Sequence, residues 1–148
     1  METNISGNIK QFVTFKLDKE EYGVDIQSVS IIEKMMPITR VPKTPSYIKG
    51  VINLRGEIVP VMDLRARFDL NQSEETDDTR IIIVKVDEVV FGFIVDAVSE
   101  VLQLSGSAIE STSSLKENAN IDFIYGIGKV DERIVILLNL ERLSKINQ

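Results

Sequence analysis

Apolar and polar residues follow the same pattern along two stretches of this chain. In the first, Phe12-Val-Thr-Phe15-Lys-Leu17 runs into Asp18-Lys19 and then Tyr22-Gly23-Val24; in the second, Ile81-Ile-Ile-Val84-Lys-Val86 runs into Asp87-Glu88 and then Phe91-Gly92-Phe93. Short β-branched and aromatic runs broken by polar pairs predict strands joined by tight turns. At an offset of 69, Lys16 meets Lys85, Gly23 meets Gly92, Val29 meets Val98 and Ser30 meets Ser99. A second block repeats at an offset of 76, placing Ile48 on Ile124, Gly50 on Gly126, Ile58 on Ile134 and Leu64 on Leu140. Two blocks in the same order indicate an internal duplication. The second copy carries about seven extra residues, assigned to the polar stretch Ser105–Asn120, where a surface loop absorbs length cheaply.

Within each copy, two strands are followed by a segment whose apolar residues recur at every third position: Ile26, Val29 and Ile32, or Val95, Val98 and Val101. That spacing fits one face of a short helix, while the β-branched residues leave a strand open. Two further strands then surround a tight turn, and Asp63 and Asn139 are placed to cap a final helical turn. Residues 71–79 are polar and acidic and read as an exposed link. Many short strands imply barrels, and about five per copy suit a small SH3-like or OB-like barrel. A unit of roughly 65 residues is marginal alone, so the two copies should share an apolar boundary, with a groove between them for a partner.

The copies differ at one turn, where Arg55-Gly56-Glu57 becomes Asp131-Glu132-Arg133. Gly56 can take the positive φ of a tight hairpin, leaving Arg55 outward either to bind or to solubilise the turn. Pro60 donates no backbone hydrogen bond, so its strand should be an edge or bulged there. Residues 34–47 hold three of the four prolines together with Met35 and Met36, which serve either as core or as an adaptable surface.

The net charge of −6 opposes general binding to nucleic acid or anionic lipid. The chain has neither cysteine nor histidine, which removes disulfides, thiol chemistry and most familiar acid–base constellations. Glu20-Glu21, Glu74-Glu75 and Asp77-Asp78 fall in predicted turns and links, where carboxylates stay solvated. No phosphate loop or metal-ligand spacing occurs, so no catalytic, metal or cofactor residue is assigned. The polar N-terminus lacks the features of a signal peptide, and no apolar run approaches the roughly 20 residues of a membrane span, which makes a cytoplasmic location the default. These features describe a module that binds.

The runs Glu21-Tyr-Gly-Val-Asp25-Ile26, Thr44-Pro-Ser-Tyr-Ile-Lys-Gly50-Val-Ile-Asn-Leu-Arg55-Gly56-Glu-Ile-Val-Pro60-Val-Met-Asp63-Leu-Arg65 and Phe91-Gly-Phe-Ile-Val-Asp96-Ala-Val98 resemble the CheW family. The resemblance extends from about Gln11 to about Leu143. It implies one CheW-like domain over 10–148, mainly β, of two five-stranded barrels that partly exchange strands and carry short helices. One subdomain would span 19–80, the other 81–143 with the N-terminal strand 10–18. It further implies a non-enzymatic chemotaxis adaptor that couples the cytoplasmic tips of chemoreceptors to the regulatory domain of the histidine kinase CheA in membrane-associated arrays. Receptor-binding positions carried over are Ile26, Val29, Val98, Gly50 and Arg55; no short motif marks the kinase face. Family members often carry an acidic residue where this chain has Ile31, so Glu33 or Glu57 must serve as the partner of Arg55. The competing readings are a paralogue serving another receptor–kinase pathway and a barrel that binds peptides or oligonucleotides. The acidic balance and scarcity of free aromatics oppose the last.

Overall fold

The duplication is visible at once in how the strands pair. The computed structural model describes residues 9–112 and 122–145. In chain order these form β1 (Ile9–Leu17), β2 (Glu20–Asp25), β3 (Val29–Lys34), β4 (Ile48–Leu54), β5 (Glu57–Asp63), α1 (Leu64–Arg67), β6 (Arg80–Val86), β7 (Val89–Val95), β8 (Ala97–Ser105), β9 (Ile109–Glu110), β10 (Ile124–Val130), β11 (Arg133–Leu138) and α2 (Leu140–Leu143). One sheet has the order β8-β1-β2-β11-β10-β9 and the other β3-β6-β7-β5-β4. Each first hairpin has therefore left its own copy: β1–β2 joins the second copy's strands, and β6–β7 joins the first copy's.

Two parallel contacts seal this reciprocal exchange. Leu137 of β11 faces Gly23 of β2, and Val61 of β5 faces Gly92 of β7, an equivalence in both offsets. Both glycines are closely packed. A Cβ on Gly92 would meet Ile81 and Ile83 at 2.9 Å, and one on Gly23 would meet Leu137 at 3.1 Å. The sheets change hands at the turn after Asp25 and at Asp96, whereas the expected subdomain limits fell at 18/19 and 80/81. β2 thus sits with the six-stranded sheet, and β6–β7 with the five-stranded one, because each hairpin moves as a unit.

Three apolar clusters fill the molecule. Ile52, Val59, Val61, Ile81 and Ile83 pack inside the five-stranded sheet, and Phe12, Leu102, Leu104, Val135 and Leu137 inside the six-stranded one. The third and largest lies between the sheets and includes Phe15, Tyr22, Met62, Ile82, Val84, Phe91, Phe93 and Leu138. This is the shared boundary expected from the small size of each copy. It explains why β6 is apolar at four successive positions: Ile81 and Ile83 face the sheet's own interior, while Ile82 and Val84 face the boundary. Among the described residues neither sheet closes end to end by hydrogen bonds, but both curl around their own cluster.

Several local expectations are met and others corrected. Asp63 caps α1 by accepting from the amides of Arg65 and Ala66, and Asn139 caps α2 by accepting from that of Arg142. Of the two segments with three-residue spacing only Ile26–Ser28 is helical, a single 3-10 turn, and Val29–Lys34 and Ala97–Ser105 are strands. β-Branched side chains with a sheet edge to pair against win over the three-residue spacing. Pro60 lies on an interior strand, not an edge. Parallel pairing with β7 begins one residue later, at Val61, so the missing donor falls where β5 has a single neighbour. The bridges Thr39–Val51 and Glu110–Ile127 are repeat equivalents, with Thr39 and Glu110 at an offset of 71. Two of the extra residues therefore precede Glu110 and five follow it, in a stretch whose residues 113–121 lie outside the described ones.

With no histidine or cysteine, no side chain has an ordinary pKa between about 5 and 8. Burial, and then the charges of Glu20 and Asp18, push the Tyr22 phenol above its ordinary value. The native state therefore retains a proton that the unfolded chain releases near pH 10. This contribution is complete below about 10 and disappears as pH rises through the raised native value. Thermal melts should give a flat midpoint from about pH 6 to 9 and a falling one above about 10.

Candidate functional site

Ile26, Val29 and Val98 all pack against the boundary cluster, and all three are only half buried. Ile26 opens the 3-10 turn, where Asp25 caps by accepting from the Gln27 amide. Val29 begins the edge strand β3 and faces Val84 of β6; Val98 lies on the edge strand β8 and faces Phe15 of β1. The two valines thus occupy equivalent places on different sheets. Further along the same strands and on the same faces come Ile32, 39% exposed, and Val101, 50% exposed. The bulge at Ser30 on β3 and its repeat equivalent at Ser99 on β8, opposite Thr14 and Phe15, keep these residues on that side. The result is an apolar rim drawn from both copies.

Gly50 and Arg55 belong elsewhere, on β4 and the turn after it. Gly50 is buried, with φ of 154°, and a Cβ there would overlap the Thr39 carbonyl and stand 2.8 Å from Ile38. Thr39 and Val51 exchange two backbone hydrogen bonds of 2.8 Å across this close approach. Gly50 therefore acts by holding the 35–47 loop against β4. Met35, Met36 and Ile38 of that loop pack on the interior of the five-stranded sheet, which is the core use foreseen for the methionines.

Arg55 has φ of 53° and Gly56 of 89°, so both central residues of the turn carry positive φ. The Gly56 amide donates to Asn53 Oδ1 at 2.9 Å, which fixes the turn and leaves the Arg55 side chain 76% exposed. Its nearest carboxylate is Glu33, at 4.0 Å, and Ile31 packs inside the sheet. Glu33 is thus the anion beside Arg55, although so exposed a pair contributes little to stability. At the equivalent turn, Arg133 is bonded to Glu21 at 2.7 Å and Glu100 at 2.6 Å; these raise its pKa, with the Glu21 bond the larger cause.

Sequence reasoning did not single out Arg65, which the structure makes central. Its guanidinium donates to both oxygens of Asp96, at 2.6 and 3.3 Å, to the Asn71 carbonyl at 2.6 Å and to Asp18 at 3.5 Å. The Asp18 amide also donates to Asp96, at 2.8 Å. These bonds, Asp96 first, hold the Arg65 pKa above its ordinary value. The network ties α1, the β1–β2 turn and the β7–β8 crossover together across the two sheets. Its repeat equivalents, Glu141, Asp87 and Gln27, cannot form such a network, and that asymmetry was the available signal. Asp96→Asn should lower the urea unfolding free energy by about 1–2 kcal/mol. The figure is below that for a fully buried pair because Asp96 keeps 35% of its side chain exposed.

Arg67 of α1 packs on two aromatic rings at the edge of the same cluster. Its guanidinium stacks 3.9 Å from the Tyr47 ring and 4.7 Å from the Phe123 ring, aromatics that are themselves repeat equivalents. The cation–π contacts hold the guanidinium between the two rings. Among the described residues no group of three His, Cys, Asp or Glu is placed to hold a metal ion, and no helix is long and apolar enough to cross a membrane.

The fold and site define a pseudo-twofold two-sheet protein whose repeat-equivalent edge strands leave half-exposed valines on the shared cluster. Residues 11–147 match the model of the CheW-like domain. The chain is 36% identical over 138 residues to the chemotaxis protein CheW of Helicobacter pylori, covering 93% of this chain and 82% of that protein. It is 37% identical over 130 residues to the chemotaxis protein CheW of Bacillus subtilis, covering 88% and 83%. The crystal structure of the scaffolding protein TtCheW from Thermoanaerobacter tengcongensis superposes with a TM-score of 0.87 at 39% identity, covering 95% of each chain. The chain belongs to the CheW-like family of chemotaxis scaffold proteins.

Proposed function

We propose that this protein is a non-enzymatic cytoplasmic adaptor that couples chemoreceptors to the histidine kinase CheA and is recruited with them to membrane-associated arrays. The observation that carries the reading is the set of half-exposed apolar side chains that repeat-equivalent edge strands leave on the shared cluster. Ile26, Val29 and Val98 remain half exposed on the deepest cluster of the protein, and Ile32 and Val101 extend the strip outward. A receptor's helical tip laid there would bury its apolar face, as helix-in-groove partners do. Gly50 and Arg55 contribute from the neighbouring β4–β5 region, Gly50 by holding the loop and Arg55 as an exposed cation.

The kinase regulatory domain docks elsewhere, on the outward faces of β5 and β11. Ile58 and Ile134, repeat equivalents on β5 and β11, are 65% and 59% exposed there. Weak contacts at two faces suffice because an array raises the effective concentration of each partner.

Isothermal titration against the isolated CheA regulatory domain and, separately, a receptor-tip fragment tests the assignment. Saturable one-to-one binding to both is the expected result. A folded protein that binds neither would remove the receptor–CheA role and return the chain to a different receptor–kinase pathway.

A further inference from the structure

Three exposed cations are grouped on the 35–47 loop and the start of β4 in a chain whose net charge is −6. Arg40, Lys43 and Lys49 line a concavity of about 400 Å³ that runs from this loop to Ala66 of α1. Among the described residues none of the three forms an ion pair. The one carboxylate in the lining, Asp63, is turned onto the amides of Arg65 and Ala66.

The loop holds these cations on a fixed frame. Thr39 is bonded twice to Val51, the Ile48 amide donates to the Pro45 carbonyl at 2.9 Å, and the Thr44 hydroxyl donates to the Val41 carbonyl at 3.0 Å. Lys43 itself is fixed at φ of 65°. Little backbone entropy remains to be lost when a ligand binds. In the second copy Tyr125 replaces Lys49, so the grouping is not a requirement of the fold. The chain also lays an acidic segment of its own beside this surface: Lys49 and Gln72 line the adjoining concavity with Glu74 and Glu75.

We propose that this loop is a docking surface for an acidic peptide segment of a partner protein, distinct from the apolar groove. Three exposed cations on a rigid concave frame supply charge complementarity and strong dependence on salt. The proposal does not require the receptor–kinase reading, since its probe is a peptide alone.

The test is fluorescence anisotropy of a labelled oligoglutamate peptide with the full chain. The triple variant Arg40→Glu/Lys43→Glu/Lys49→Glu is compared with a control of equal net charge, Lys16→Glu/Lys19→Glu/Lys85→Glu. Saturable binding by wild type and control, weakened at least about tenfold in the loop variant and by raising salt, is expected. If the reversal fails to fold, glutamine at the same three positions should show a smaller loss in the same direction. Absence of saturable binding by wild type, or equal loss in both triple variants, overturns the proposal. Binding to phosphatidylserine vesicles but not to the peptide overturns it in favour of a lipid surface.

Discussion

Gly50→Ala should lower the thermal midpoint by about 5–15 °C and release the 35–47 loop from β4. The added Cβ would overlap a backbone carbonyl, that of Thr39, which cannot rotate away as a side-chain terminus would. Relief requires breaking one or both of the Thr39–Val51 bonds or shifting Ile38, and a φ of 154° adds strain for any residue with a side chain. A cost of roughly 2–4 kcal/mol follows from strain and lost bonding. For a chain of this length each kcal/mol is worth about 2–4 °C. Gly56→Ala is the contrast: it also has positive φ but meets nothing within 4 Å, so only backbone strain of roughly 1–2 kcal/mol applies. Melts on both variants, with amide exchange at Thr39 and Val51, distinguish the two mechanisms. Unchanged protection at those amides in the Gly50→Ala variant would refute the account of Gly50 as a loop clamp.

Val29→Glu should weaken binding of a receptor-tip fragment by about 10–100-fold while leaving binding of the CheA regulatory domain within about twofold. Val29 sits half exposed at the rim, so the carboxylate can turn to water in the free protein and the fold survives. In the complex the same carboxylate would be covered by an apolar helix face. Desolvating it without a partner costs about 1–3 kcal/mol, which sets the expected factor. Val98→Glu, its repeat equivalent, should behave alike if the groove is used across the dyad. Titration of both partners against both variants is the measurement. Equal loss toward both partners, with an unchanged melt, would mean that the rim is not a receptor-specific surface.

What could be read from the chain alone was whatever depends on local pattern or on repetition. The β-branched and aromatic runs Phe12–Leu17 and Ile81–Val86 revealed strands, and Asp63 and Asn139 revealed the caps of α1 and α2. The offsets of 69 and 76 revealed the duplication, and the size of each copy implied the boundary cluster. Each follows from sterics or burial acting over a few residues. Positions of receptor contact came through the family motif, because a half-exposed valine has no chemical signature of its own. The resemblance implied partial strand exchange, and the tertiary structure alone decided that whole hairpins, β1–β2 and β6–β7, change places. Two equivalent hairpins fit either sheet equally well by pattern, and only the parallel pairing of β2 with β11 and of β7 with β5, with Gly23 on Leu137 and Gly92 on Val61, shows which partner each takes. It alone brought Arg65 to Asp96 and Asp18, and Glu33 to Arg55, since the reach of a charged side chain depends on how the sheets curl in space.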